Sequence, residues 1–287
     1  MATPRIDAHQ HYWRLDRGDY GWLTPKLAPI YRDAGPDDLA PYLLRHGIHA
    51  TIAVQAAPTE AETHYLLEIA RTTPSLAGVV GWVDFDAVDA LARLEALADD
   101  PLLLGLRPMV QDIADSNWLL RPGHAAILEA MTRHGLVFDA LVKPMHLPPL
   151  LQVASRHPAL TIVIDHGAKP MLSGGPAALA GWQDGIEALA SLPNVHCKLS
   201  GLVTEFGKGW RPDDLLPAMQ HLLRCFGARR LIWGSDWPVI ELAAGYQDWV
   251  ALCRSFMASL PAPDQASIMG GNAVALYLSR RGKPPSC

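Results

Sequence analysis

The sequence lacks the features that mark membrane, secreted and nucleic-acid-binding chains. No hydrophobic run reaches the roughly 18 residues that a membrane-spanning helix requires. The N-terminal segment meets the charged residues Arg5 and Asp7 before any long apolar run, so we do not expect a signal peptide. The net charge is −5 and no block of lysine and arginine is present, which argues against a nucleic-acid partner.

Cysteine is also scarce. The chain has four cysteines, which are far apart in sequence: Cys197, Cys225, Cys253 and Cys287. Because they form no CxxC pair, the spacing predicts neither a disulfide framework nor a structural zinc site. A reducing cytoplasm is therefore the expected compartment.

The residues that are present predict an α/β fold with a large core, since 49% of the 287 positions are hydrophobic and 18% are charged. Short apolar runs, each followed by a helix-like stretch, begin near Ile6, Thr51, Val79, Leu103, Val137, Thr161, Val195 and Leu231. Their spacing of roughly 25 to 45 residues suits one βα unit. We therefore predict a single (β/α)₈ TIM-type barrel over residues 1–287. An open doubly wound sheet is the alternative, but no GxGxxG motif follows the first run.

Local patterns mark helix ends and one long connection. Thr59 to Glu62 reads as a capping box, and Gly47 and Gly135 are placed as helix C-caps. About 25 residues, 12–37, separate the first strand from the first helix, and this stretch is rich in tyrosine and tryptophan. Long connections in compact domains are commonly functional, so we expect this loop to lie over an active site at the C-terminal face of the barrel.

The first strand ends in a pair of histidines, His9 and His11. Side chains alternate along a strand, so the two imidazoles share one face. If that face is inward, they converge at the separation a metal ion requires. The alternative is a pair of strand histidines satisfied by hydrogen bonds.

Polar residues also follow other predicted strands, which is how barrel enzymes assemble their sites. His166 follows the sixth run, Asp236 the eighth and Arg107 the fourth. Each has a structural alternative. Asp236 suits a helix N-cap, and Asp165 suits the N-cap of the next helix with His166 as a bystander. Arg107 suits a surface position or a structural ion pair. Lys143 and Lys198 also end strands, and either a structural or a functional role suits them.

Several motifs together resemble the amidohydrolase-2 branch of the amidohydrolase superfamily. The motifs lie in Asp7–His11, Gly105–Arg107, Asp165–Gly167, Lys198–Gly201, Trp233–Pro238 and Asn272–Tyr277. The likeness runs from about residue 5 to residue 278. Within that branch the chain is most similar to the sugar-lactone hydrolases, and Tyr12-Trp13 and Tyr20–Leu23 of the first loop contribute to the likeness.

The resemblance implies one divalent metal, with zinc expected, held by His9, His11 and Asp236. Many members of the superfamily add a carbamylated lysine or a glutamate on the fourth or fifth strand. Here the fourth strand offers Arg107 and the fifth offers Asp139 and Lys143, which argues for one metal at most. Some lactonases of this branch work without a metal, so metal-independent catalysis stays open.

The implied reaction assigns roles to the candidate residues. Asp236 would move a proton between water and the leaving alkoxide, and His166 or Arg107 would donate to the carbonyl oxygen. The sugar hydroxyls and ring would contact Trp13, Trp22, Gln55 and Lys143. The expected substrate is a lactone of an L-configured sugar acid, above all L-fuconolactone. Decarboxylation of an aromatic acid and noncatalytic binding of a sugar acid are the competing interpretations, and the oligomeric state is left open.

Overall fold

The computed structural model describes residues 3–279, and its central element is an eight-stranded parallel sheet. The expected domain of residues 1–287 extends past the described part at both ends, and Cys287 lies outside it. The strands are β1 (Ile6–Gln10), β2 (Ala50–Val54), β3 (Leu76–Gly81), β4 (Leu103–Leu106), β5 (Val137–Ala140), β6 (Ile162–Ile164), β7 (Val195–Leu199) and β8 (Leu231–Trp233). The helices are α1 (Pro36–His46), α2 (Glu60–Thr72), α3 (Ala90–Ala98), α4 (His124–Arg133), α5 (Leu147–Arg156), α6 (Pro176–Ala190), α7 (Leu202–Phe206), α8 (Pro212–Phe226), α9 (Tyr246–Met257) and α10 (Ala262–Ala266).

The strands follow one another around the sheet in chain order, from β1 to β8, and every neighbouring pair is parallel. The sheet closes just beyond the end of β8. There Asp236 N donates to His9 O at 2.7 Å, and His11 N donates to Trp237 O at 2.8 Å. The predicted (β/α)₈ barrel is therefore confirmed, and its closing hydrogen bonds lie beside the predicted site residues.

Two apolar clusters stabilise the barrel. The inner cluster holds inward-facing strand residues such as Val80, Val137 and Val163, together with Leu276 and Tyr277 of the C-terminal segment. The larger outer cluster packs the helices against the other faces of the strands. Burying a large aliphatic side chain stabilises a fold by about 1.5–3 kcal/mol, so these clusters dominate the energetics.

A bulge in β1 aims the two strand histidines into the barrel. Ile6 and Ala8 belong to the inner cluster, so strict alternation would turn His9 and His11 away from it. The register between β1 and β2 shifts between Asp7 and Gln10, where one extra residue is accommodated on β1. Such a bulge re-aims the side chains that follow it, and it explains why His9 can join the inward face after Ala8.

The helix-end predictions are confirmed in part. Gly47 ends α1 in a left-handed conformation with φ 63°, as a C-cap glycine does. Thr59 caps α2 by accepting the N–H of Glu62 at 3.1 Å. The predicted capping box is nevertheless wrong in its second half, because the carboxylate of Glu62 accepts the backbone N–H groups of Ala56 and Ala57 instead. Glu62 therefore holds the turn after β2, close to the C-terminal face.

The long first connection is ordered by its own hydrogen bonds. Trp13 and Ala34 exchange backbone hydrogen bonds at 2.9 and 3.0 Å, and Trp13 Nε1 donates to Arg32 O at 2.7 Å. Trp22 Nε1 donates to Ala56 O at 2.7 Å, which fixes the middle of the loop to the end of β2. No helix within residues 3–279 is both long and apolar enough to cross a bilayer.

Candidate active site

Three imidazoles converge on one carboxylate oxygen at the C-terminal end of the barrel. Oδ1 of Asp236 lies 3.3 Å from His11 Nε2, 3.6 Å from His9 Nε2 and 3.8 Å from His166 Nε2. All four side chains are buried, with at most 4% of each residue exposed. The structure thus brings together the four residues that the sequence predicted to converge.

Unusual backbone conformations position two of these residues. Asp236 has φ 61° and His166 has φ 53°, a left-handed region that costs energy for residues with a Cβ. Two glycines leave room for the neighbouring imidazoles. A Cβ on Gly234 would lie 2.5 Å from His9 Cβ, and a Cβ on Gly201 would lie 2.3 Å from His166 Nδ1. Strain and close approach are therefore concentrated where the polar side chains meet.

A buried ion-pair network supports His9 from below. Lys198 Nζ forms an ion pair with Asp139 and lies 3.0 Å from Asp165 Oδ1. The same ammonium is 3.2 Å from His9 Nδ1, while Asp165 Oδ1 is 3.4 Å from that nitrogen. Tyr277 Oη donates to Asp139 Oδ1 at 2.6 Å. Because every member is paired, the network can hold charge inside the barrel without isolated buried ions.

Arg107 lies on the opposite side of His9. Its Nη2 donates to two atoms of Gln55, the backbone carbonyl oxygen and, at 2.9 Å, Oε1. Its Nη1 donates to Asp165 Oδ2 at 3.3 Å. Nη1 also lies 3.4 Å from His9 Nε2. The guanidinium is therefore held in a fixed orientation at the base of the site.

A cavity of about 300 Å³ opens above this cluster. Its apolar wall includes Trp22, Leu27 and Met109. Its polar lining includes His11, Arg107, Asp112, His166, Lys169 and Asp236. The volume and mixed lining suit one small, hydroxyl-rich molecule.

Only Trp22 among the four predicted sugar-binding residues lines this cavity. Trp13 is fully buried beside His11, with ring centroids 6.3 Å apart. Gln55 is fully buried behind Arg107 and holds its guanidinium. Lys143 is exposed at the rim, where Nζ donates to the carbonyl oxygen of Gln111 at 2.8 Å.

Burial and neighbouring charges tune the titrating groups. Burial lowers the pKa of His166 to about 4, although the charge of Asp236 opposes this change. Burial likewise lowers the pKa of His9 well below its usual range, against the opposing charge of Asp165. Burial by itself raises the pKa of Asp236, but His166, His11 and His9 outweigh it and lower the pKa overall. His9 and His166 are therefore neutral beside an ionised carboxylate at neutral pH.

This donor set fits a divalent metal. His9, His11 and Asp236 each offer one ligand atom, and these atoms lie within 4.8 Å of one another. Tetrahedral zinc with bonds of about 2.1 Å separates neighbouring ligand atoms by about 3.4 Å. The measured distances from Asp236 Oδ1 to the two Nε2 atoms are 3.3 and 3.6 Å, which agree with that value. Two imidazoles and a carboxylate are also typical zinc ligands.

Sequence reasoning missed the supporting residues. Asp165 suited a helix N-cap, yet its carboxylate contacts Lys198, His9 and Arg107. Ser200 Oγ lies 2.9 Å from His166 Nδ1 and orients that ring. Their positions in the sequence were the available signal, because Asp165 precedes His166 and Ser200 directly follows the seventh strand.

The chain is similar along almost its full length to known proteins. The amidohydrolase family model matches residues 6–278. The L-fucono-1,5-lactonase of Burkholderia ambifaria is 48% identical over 281 residues, which cover 96% of each chain. The L-fucono-1,5-lactonase of Burkholderia multivorans is 39% identical over 287 residues, which cover 96% of this chain and 97% of that protein. A solved amidohydrolase from Burkholderia multivorans with bound zinc is 36% identical, with a TM-score of 0.90, and the match covers 98% of this chain and 100% of that one.

Proposed function

The chain belongs to the amidohydrolase family, and on that premise we propose that it hydrolyses sugar aldonolactones, with L-fuconolactone as its preferred substrate. The enzyme opens the cyclic ester and yields L-fuconate. One observation carries the proposal: three imidazoles meet Asp236 at the wall of a cavity of about 300 Å³. The identity of 48% to an L-fucono-1,5-lactonase supports the same reaction and substrate.

Ring opening needs an attacking water, stabilisation of charge on the carbonyl oxygen and a proton for the leaving alkoxide. Oδ1 of Asp236 lies 3.3–3.8 Å from the three imidazoles. The carboxylate of Asp236 accepts the proton of the attacking water and returns it to the alkoxide. Its lowered pKa keeps it ionised and ready to accept at neutral pH.

Arg107 and His166 stabilise the charge that develops on the carbonyl oxygen. Both line the cavity, and both are already oriented, Arg107 by Gln55 and His166 by Ser200. A donor held in advance stabilises the transition state without reorganisation, and losing one such donor costs about 3–4 kcal/mol. In this proposal Gln55 acts by positioning Arg107 rather than by touching the sugar.

His9, His11 and Asp236 would hold one zinc ion, in keeping with the zinc bound by the related Burkholderia multivorans amidohydrolase. When bound, zinc polarises the lactone carbonyl and lowers the pKa of a water. Asp165 Oδ1 lies 3.4 Å from Nδ1 on the far side of the His9 ring, the place where a carboxylate orients a metal-binding histidine.

Substrate contacts come from the cavity wall. The ring of Trp22 offers an apolar face to the sugar, and Asp112 and Lys169 offer polar groups to its hydroxyls. Trp13 supports the ring of His11, and Lys143 fixes the segment that carries Gln111. Three free cysteines among the described residues are in keeping with a reducing cytoplasm as the proposed compartment.

The test is a hydrolysis screen across aldonolactones, with and without added zinc, followed by a pH indicator. We expect the highest kcat/KM for L-fuconolactone, with activity on L-galactonolactone and D-arabinonolactone because they share its ring stereochemistry. A clear preference for L-rhamnonolactone would overturn the substrate assignment but keep the class. No turnover of any aldonolactone would overturn both, and release of carbon dioxide from aromatic acids, or sugar-acid binding without turnover, would then identify the alternative.

A further inference from the structure

We propose that Glu187, His221 and Cys225 form a second divalent-metal site on the outside of the barrel, for a thiolate-binding metal such as zinc. The site bridges α6, which carries Glu187, and α8, which carries His221 and Cys225. It lies apart from the cluster of His9, His11, His166 and Asp236, which we call the reaction centre. The proposal does not depend on the proposed function.

The geometry brings three different ligand types together. His221 and Cys225 are four residues apart on α8, so their side chains lie on one face of the helix. Cys225 Sγ is 3.5 Å from His221 Nε2. One ligand atom from each of the three residues lies within 4.8 Å of the others. Zinc bonds of about 2.0–2.1 Å to nitrogen and about 2.3 Å to sulfur separate the two donors by about 3.5 Å in a tetrahedral site.

The environment also suits a metal ion. His221 is buried with 2% exposed, and its ring packs against Trp182 with centroids 5.1 Å apart, which fixes its orientation. Cys225 is half-buried and Glu187 is exposed, so an ion can enter from solvent and keep water as a further ligand. A thiolate and a carboxylate carry two negative charges, which balance a divalent cation.

Protons compete with the metal at this site. Burial raises the pKa of the Cys225 thiol, and the charge of Glu187 adds to this effect. His221 Nε2 lies 3.3 Å from the carbonyl oxygen of Gln183, and Nδ1 lies 3.4 Å from Nη2 of the exposed Arg224. Metal binding at Nε2 would replace the contact with the carbonyl oxygen of Gln183, and Nδ1 would carry the imidazole proton, so Arg224 would turn away.

The sulfur ligand makes the site measurable separately from the reaction centre. The ligands near Asp236 are imidazoles and carboxylates. Cys197 and Cys253 are fully buried in the outer apolar cluster. Among the described cysteines, a thiolate-to-metal absorption band therefore reports on Cys225, and Cys225→Ser, which keeps Cys287, separates its signal from that of Cys287.

The experiment titrates the demetallated full-length protein with Co²⁺ above pH 7. We expect a thiolate-to-cobalt charge-transfer band in the near ultraviolet. In the His9→Ala variant, where the reaction centre lacks a ligand, the band should saturate at about one equivalent, and in the wild type the reaction centre takes up additional Co²⁺. Cys225→Ser and His221→Ala should abolish the band. His9→Ala, which alters only the reaction centre, and His64→Ala, an exposed helix histidine, should keep it.

A variant at an exposed ligand tests the site even if the variants at His221 and Cys225 fail to fold. Glu187→Gln alters an exposed side chain, so the fold should persist, and cobalt affinity should fall at least about tenfold. The proposal is overturned if the wild type shows no band, if Cys225→Ser keeps the band, or if Glu187→Gln leaves the affinity unchanged. Lactone hydrolysis is not the readout, so none of these outcomes bears on the proposed function.

Discussion

The buried ammonium of Lys198 lies 3.2 Å from Nδ1 of His9, while Nε2 of the same ring lies 3.6 Å from Asp236. The imidazole therefore stands between a cation and the carboxylate of the reaction centre. Burial first, and then the charge of Lys198, lower the pKa of His9. The ring is held neutral, which is the form that can ligate a metal.

Lys198→Met should destabilise the protein by about 3–5 kcal/mol, because Asp139 and Asp165 would keep buried charges without their cation. The loss should grow from pH 5 to pH 8. Burial raises the pKa of Asp139 to about 6 even with the ammonium present, and without it the pKa of Asp165 in the folded state would also rise above its unfolded value. Both carboxyl groups would then lose their protons at higher pH in the folded than in the unfolded state, so stability falls as pH rises through that range. Denaturant unfolding at several pH values measures this.

Lys143→Met is the matched control for that variant, since Lys143 is exposed and donates to one carbonyl oxygen. It should change the free energy of unfolding by no more than about 0.5 kcal/mol. A loss below about 1 kcal/mol in Lys198→Met would show that the network contributes little to stability.

Asp236→Asn should lower kcat by about 10²-fold or more while the fold persists, because the amide cannot accept the proton of water. Asparagine tolerates the left-handed backbone at φ 61°, so the local conformation should survive. Steady-state kinetics and thermal unfolding check the two halves of this prediction. Asp112→Asn, on the same cavity wall, should change kcat far less. Retention of more than a few per cent of activity in Asp236→Asn would make Asp236 structural.

His9→Ala should lower the zinc content by one equivalent per chain, and activity should fall in proportion to the zinc that is lost. Elemental analysis should be made in a Cys225→Ser background. The second proposed site is then disabled, and the measured zinc belongs to the reaction centre alone. Full activity of the unmodified enzyme after exhaustive chelation would place catalysis on Arg107 and His166 without a metal.

The acid limb of the kcat/KM profile should lie near pH 4. Burial lowers the pKa of His166 to about 4, so the ring stays neutral at pH 5, where a free imidazole with a pKa of about 6.5 would be protonated. Protonated His166 would pair with Asp236 and weaken it as a proton acceptor. Product quantification by NMR between pH 3.5 and 8 measures the limb, and an inflection near 6.5 would contradict the assignment.

The sequence allowed the barrel to be predicted because apolar and β-branched residues recur at the spacing of βα units and a helix-like stretch follows each group. It also located His166 and Asp236, because polar residues directly after buried strands are costly unless they have partners. The β1 bulge could not be predicted, since Asp7 to Gln10 contain no residue type that requires the extra position.

Contacts across the barrel were beyond sequence reasoning for a different reason. Lys198 on β7 meets Asp139 on β5 only because both side chains point inward at a matching height. Height depends on the register of three strands, which local patterns do not set. The sequence also could not show which tryptophan of the first loop lines the cavity. Trp22 lines it, whereas Trp13 is buried in the core.

The closing hydrogen bonds between His9 or His11 and the segment after β8 have a consequence during protein synthesis. His11 and Asp236 are 225 positions apart, so the ribosome adds Asp236 roughly 11–45 s after His11 at about 5–20 residues per second. Until then β1 and β7 present open strand edges, which can pair with other chains. The nascent enzyme therefore acquires its reaction centre and loses its aggregation-prone edges in the same late step, and chains that terminate before β8 should depend on chaperones.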